Sequence, residues 1–153
     1  MADPKDFELT VNHPTGILLW KVSNQWVKAQ NHVLSPLGVT HTQCVLLFLT
    51  GRLAKLGEEA TQVRLAALSE MDVMVVSQGL RALEAKKLIR RRPSRRDGRA
   101  KLAELTSAGQ AILDKAVGSL IETNNRFYAI LGEREMRLRE ILKDLIDSNS
   151  RAE

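Results

Sequence analysis

Two patterns meet in residues 71–88, and together they limit what this chain can become. Val73, Val76, Leu80 and Leu83 fall at three- and four-residue steps, so they predict one apolar stripe on a helix. Asp72 stands just before the stripe, where its carboxylate can accept from the N–H groups of the first turn. The opposite face holds Met74, Val75, Ser77, Gln78 and Arg81 and carries no acid. Such a face suits contact with base edges and phosphates. Two β-branched residues and a methionine near the exposed start of a helix also need a reason to be there. Taken alone, the stretch fits an ordinary surface helix as well as one that docks by its N-terminal half into a DNA groove.

The following residues favour the second reading. Residues 81–101 hold ten Lys or Arg against two acids, Glu84 and Asp97, which gives the segment a net charge of +8 in a chain whose total is +5. The remainder is therefore net negative, and the basicity sits in one place. Localised positive charge beside a groove-sized helix is the electrostatic footprint of nucleic-acid binding. A solvated tail would also be basic, but this run lies between two patterned elements.

With 153 residues, 44% of them apolar and 27% charged, the chain can build one soluble globular domain with a core. Aromatic residues make up only 4%, leaving little from which to build the stacking platforms that hold single strands and RNA. Duplex DNA is the expected nucleic acid. The single cysteine, Cys44, excludes an internal disulfide framework and fits a reducing compartment. No charged-then-apolar leader opens the chain and no run approaches ~20 apolar residues, so a cytoplasmic protein with no membrane partner is expected.

Along the chain, residues 1–13 read as a loosely ordered arm. Residues 14–37 carry Ile17, Leu18, Trp20, Val22, Trp26, Val27, Val33 and Leu34, a helix apolar on more than one side and hence deeply buried or shared between subunits. Thr40 and Gln43 match a capping box, with Val39 and Cys44 at the staple positions. The helix they start contains the apolar run 44–49, which suits a wholly buried central helix. Thr61 is a plausible cap for a shorter helix over 62–68, and 69–71 turn into the helix of the opening paragraph. Beyond Leu88 the pattern becomes extended, predicting strands at 88–92 and 99–105 joined by a basic loop, 93–98. Thr106 caps a long helix to about residue 131. After Gly132, Glu133 and Glu135 open a last helix, where their charge suits the N-terminal dipole.

Helix, helix, turn, recognition helix, hairpin is the order of a winged helix-turn-helix. Leu37-Gly38-Val39-Thr40-His41-Thr42-Gln43, Val73-Met74-Val75-Val76-Ser77 with Leu80-Arg81-Ala82-Leu83-Glu84, Asp97-Gly98-Arg99-Ala100 and Leu105-Thr106-Ser107-Ala108-Gly109 follow one another in the chain. Over roughly residues 14–147 this sequence resembles the MarR family of bacterial transcription regulators. The resemblance implies a mainly α fold with a small β-hairpin wing. A DNA-binding lobe at 37–106 would be bracketed by an arm and dimerisation helix at 1–36 and by helices at 107–153 that complete the dimerisation region, all in one integrated domain. It further implies a homodimeric repressor of a palindromic operator, with the recognition helix in the major groove and the wing at the minor groove. The DNA-contacting candidates are then Thr61, Met74, Val75, Ser77, Gln78, Arg81, Arg95, Arg96, Asp97 and Arg99. Asp97 and Arg99 match the wing motif, in which the aspartate holds the loop and the arginine reaches the minor groove. Relatives hold small aromatic or acidic effectors in the crevice between the dimer helices and the lobe, where Trp20 and His41 are the local candidates. Trp20 and Trp26 both fit a plain dimer core, and both could instead line that crevice.

Two departures stand out. Relatives often have Gly before the first wing strand where this chain has Lys87, so an altered or shifted helix end is expected there. The reactive cysteine of the peroxide-sensing branch has no counterpart in residues 13–18, and Cys44 lies in an apolar run that favours an inert thiol. His13, His32 and His41 are spaced so that they share no helix face, and no cysteine pair accompanies them, so no metal site is expected. There is no phosphate loop, nucleophile elbow or carboxylate pair, so neither catalysis nor a cofactor is expected. The competing class is a winged-helix dimer that binds another protein and no DNA; the local +8 argues against it.

Overall fold

Four of the six described helices begin on a side chain that takes up an unpaired backbone N–H. The computed structural model describes residues 14–94 and 100–150, which form α1 (Thr15–Leu34), α2 (His41–Lys55), α3 (Gln62–Ser69), α4 (Val73–Ala85), strands β1 (Ile89–Pro93) and β2 (Lys101–Leu105), α5 (Ser107–Tyr128) and α6 (Arg134–Asn149). Short 3-10 turns at Ser35–Leu37 and Ala129–Leu131 follow α1 and α5. The Oγ1 atoms of Thr40, Thr61 and Thr106 accept from the N–H groups of Gln43, Arg64 and Gly109, and Asp72 Oδ1 accepts from that of Met74 at 2.7 Å. Gln43 completes the capping box by accepting from Thr40 N–H. The residue types at the predicted helix starts therefore do what their chemistry allows.

The core lies between α2, α3, α4, the hairpin and the first half of α5. Leu46, Leu47 and Leu53 of α2 meet Leu65, Val76, Leu80 and Leu83, with Ile89, Ala103, Leu113 and Ala116 closing the far side. α4 comes close to α2 because Gly79 has no side chain, since a Cβ there would stand 2.6 Å from Leu46 Cδ1. Gly109 plays the same part at the start of α5, where a Cβ would lie 2.1 Å from the carbonyl oxygen of Leu88. β1 and β2 pair antiparallel, Ile89 opposite Leu105 through Pro93 opposite Lys101, and Ala60 carbonyl accepts from Ala103 N–H at 2.9 Å, tying the hairpin to the approach to α3.

The structure corrects several expectations. Val73 is 47% exposed and leaves the buried stripe to Val76, Gly79, Leu80 and Leu83, because it sits on the first turn where α4 has yet to reach the core. α2 is not wholly buried, since Phe48 is 55% exposed on its outer side. α1 is not deeply buried either; only Gln30 and Leu34 are, while Leu18, Leu19, Trp20 and Val22 face outward. The end of α4 is neither altered nor shifted. Lys87 itself adopts the left-handed conformation (φ 59°), Leu83 carbonyl accepts from Leu88 N–H at 2.9 Å and Glu84 carbonyl from Lys87 N–H at 2.8 Å. That is a complete Schellman turn. It is made with lysine in a region that costs an L-residue roughly 1–2 kcal/mol.

Candidate nucleic-acid interface

At 3.6 residues per turn, Met74, Gln78 and Arg81 form one line down the side of α4 away from Val76, Gly79, Leu80 and Leu83. All three are exposed, Met74 at 61%. Val75 is also exposed and flanks the line, while Ser77 is half-buried beside it. Arg81 folds back along the helix, its Nε and Nη2 donating to Ser77 carbonyl at 3.4 Å and Ser77 Oγ at 3.2 Å. Both ends of the helix are fixed. Asp72 caps the first turn, and beyond the last turn Lys86 Nζ donates to Gly38 carbonyl at 2.7 Å and Gln43 Oε1 at 2.8 Å.

Thr61 caps α3 and its backbone bridges to Leu102 of β2, so it stands where α3 meets the wing. A crevice of about 650 Å3 opens there, lined by Thr61, Gln62, Arg64, Arg91 and Lys101 together with the acids Glu58 and Glu59. Ser94 closes the base of the wing. It is buried, its N–H donates to Ala100 carbonyl at 2.8 Å and its hydroxyl to Glu59 Oε2 at 2.5 Å. Arg90 and Arg92, on one face of β1, both approach Glu104 Oε2, at 3.0 and 3.1 Å. Pairs this exposed are worth at most ~1 kcal/mol, so a phosphate can compete for either guanidinium. Arg95, Arg96, Asp97 and Arg99 lie outside the described residues.

The concentration of positive charge is thus divided in use. Lys86 anchors α4 to the turn before α2, and Glu104 offsets part of the charge of Arg90 and Arg92. Neither role is visible as a local motif, although the Arg90–Glu104 pair follows from the hairpin register once that is known.

The structure does not bring Trp20 and His41 together. Trp20, 67% exposed, lines a broad groove with Leu142, Leu145 and Ile146 of α6. His41 lines a separate, largely apolar pocket of about 170 Å3 between α1, α2 and α5, with Trp26, Cys44, Phe48, Leu113 and Asn124. Trp26, which the sequence offers as either dimer core or crevice lining, meets the His41 ring edge-on at 4.8 Å between centroids. Its Nε1 donates to Asn124 Oδ1 at 2.8 Å, and Gln30 Nε2 donates to the same oxygen at 3.1 Å. Burial lowers the pKa of His41 below its ordinary 6.5 and raises that of the Cys44 thiol, which keeps both uncharged near neutrality. His32 is exposed and apart, His13 lies outside the described residues, and among the described residues no group of His, Cys, Asp or Glu is placed to hold a metal ion.

Comparison with known proteins bears on this arrangement. The profile of the MarR family matches residues 37–100. The chain is 32% identical over 135 residues to the uncharacterized HTH-type transcriptional regulator YdcH of Bacillus subtilis, covering 86% of this chain and 92% of that protein. Its fold is similar to the crystal structure of a probable transcriptional regulator from Pseudomonas aeruginosa (TM-score 0.79, 25% identity, 89% of this chain and 99% of that one). It is also similar to a mutant of MarR from E. coli complexed with operator DNA (TM-score 0.77, 25% identity, 86% of this chain and 93% of that one).

Proposed function

Because the chain belongs to the MarR family of DNA-binding transcription regulators, we propose that it works as a homodimeric repressor of a palindromic operator. One observation carries this reading. The face of α4 that bears Met74, Gln78 and Arg81 is exposed, while its back is locked into the core and its ends are held by Asp72 and Lys86. In this reading residues 37–106 are the DNA-binding lobe, with α4 in the major groove and the wing against the minor groove, and Arg95, Arg96, Asp97 and Arg99 are the wing's candidate DNA contacts. Thr61 supports a phosphate at the start of α3, since its hydroxyl keeps a proton to donate. Two copies would dimerise through α1, α5 and α6, whose outward apolar residues include Trp20, Ile141 and Ile146, and would present two α4 helices to half-sites about one DNA turn, ~34 Å, apart.

A small aromatic or acidic effector would enter the pocket of Trp26 and His41, where an aromatic ring meets apolar walls and Asn124 offers polar contact. It would release the operator by favouring a subunit spacing that no longer matches the half-sites. A dimer that binds only protein is the weaker reading, since it leaves the basic wing without a use.

The test separates positioning from reading. Arg99→Ala should weaken specific and nonspecific duplexes alike and lower the salt slope by about one unit for each phosphate no longer neutralised. Gln78→Ala should cost ~1–3 kcal/mol per base contact on the operator with an almost unchanged slope. Titrations at several salt concentrations decide it; affinity and slope untouched in both variants would end the docking model.

A further inference from the structure

The apolar residues of the first turn of α4, on and beside the reading face, are not taken into the core. Met74 is 61% exposed, Val73 47% and Val75 43%, and the buried positions of α4 begin only at Val76. Apolar side chains gathered at the exposed end of a helix gain nothing from water. β-branched residues are also weaker helix formers than the straight-chain residues that a plain surface would use. The polar members of the same face are unevenly available. Arg81 is engaged with both oxygens of Ser77, whereas Met74 stands at the outermost position, one turn from Gln78. The surroundings fit a polyanion, with ten Lys or Arg in residues 81–101.

We propose that α4 reads thymine by its 5-methyl group, with Met74 as the principal contact and Val75 beside it. The inference rests on the duplex-DNA reading above and says what that site recognises. In the major groove the thymine methyl is the only apolar feature of a base edge, so an apolar side chain is suited to it and to no other base. Gln78, one turn along, has the amide that pairs with adenine N6 and N7. The two together specify a half-site containing A·T pairs in adjacent positions, read in part by shape and contact and not by arginine on guanine. Methionine suits the task because its unbranched, polarizable side chain adapts to a methyl surface.

The experiment starts from a duplex enriched by the full-length protein from a random pool. Each thymine is then replaced singly by deoxyuridine, which keeps every hydrogen-bonding group and removes only the methyl. One or two thymines per half-site should lose affinity on replacement, by about four-fold per methyl group contacted. Met74→Ala should lower the affinity for the thymine duplex to that for the uracil duplex at its position, while Met74→Leu should keep the two distinct. Circular dichroism of both variants should match the parent, since the side chain is exposed. Uracil tolerated at every position of a specifically bound duplex overturns the proposal and leaves DNA binding standing. Discrimination surviving in both Met74→Ala and Val75→Ala overturns it too. Failure to enrich any duplex overturns the DNA-binding reading itself, and this inference with it.

Discussion

The lobe of α2, α3, α4 and the hairpin differs from the terminal helices in where its apolar side chains point. In the lobe Leu46, Leu47, Leu65, Leu80 and Leu83 are at most 1% exposed, so the chain closes this core by itself. In α6 no residue is buried, and Met136, Ile141, Leu145 and Ile146 are between 45% and 71% exposed. α1 shares this character along its first half, through Leu18, Leu19, Trp20 and Val22. An apolar helix stripe needs something to cover it. One half of the molecule therefore closes its own core, while the other leaves an apolar stripe uncovered among the described residues.

That contrast can be broken at either side. Leu80→Ala should cost ~2–5 kcal/mol, since it opens a cavity in a core with nothing to collapse into it, and denaturant unfolding at any protein concentration should report the loss. The paired change Ile141→Glu and Leu145→Glu should behave differently. At low concentration its unfolding should match the parent. The parent alone should gain stability as concentration rises, by ~2.7 kcal/mol at a hundredfold excess over the dissociation constant, and sedimentation should find only the variant monomeric. Concentration-independent stability in the parent would remove the distinction between the two halves.

Two smaller effects sharpen it within the lobe. Lys87→Gly should raise stability by ~1 kcal/mol, because it relieves a lysine from a left-handed backbone that glycine adopts freely, with the Schellman hydrogen bonds unchanged. The smallest effect is one of pH. Burial holds the pKa of His41 below 6.5 in the folded chain, so between that depressed value and 6.5 the unfolded chain binds more protons. Stability should be full above pH 6.5 and decline as pH falls through this window, and His41→Asn should flatten that part of the profile in thermal melts.

Much of this is legible in the residues. Caps at Thr40, Thr61, Asp72 and Thr106 are local chemistry, complete within three residues, and the stripe Val76, Leu80, Leu83 needs only the helical period. Val73 and Phe48 depart from expectation because a stripe says which side is apolar and not how far the neighbouring elements extend to cover it. The Lys87 turn departs from it because the surrounding core, through Leu83 and Leu88, imposes a conformation that the residue's own preference opposes. For the pocket beside His41, the sequence offers both tryptophans. Trp20 and Trp26 are both apolar on the same helix, and only the packing of α5, which sets Asn124 against Trp26, tells them apart. Lys86 reads in the sequence simply as charge, since its partner Gly38 lies 48 residues away.

The hydrogen bonds of Lys86 also give the reading helix a mechanical character. The side chain clamps the C-terminal end of α4 to the turn that carries Gly38 and Gln43, and the next residue but one before Gln43 is His41, at the wall of the aromatic pocket. Met74 stands twelve residues up the helix from that clamp, about 18 Å along its axis. Were the clamp lost, a tilt of about 3° there would displace Met74 by about 1 Å, which the intact hydrogen bonds of Lys86 and the buried back of α4 resist. Contacts with base edges lose their geometry over such distances. In the DNA-binding reading proposed above, the lysine that adds charge to the basic segment is thus also the fulcrum from which Met74 would be aimed at the groove.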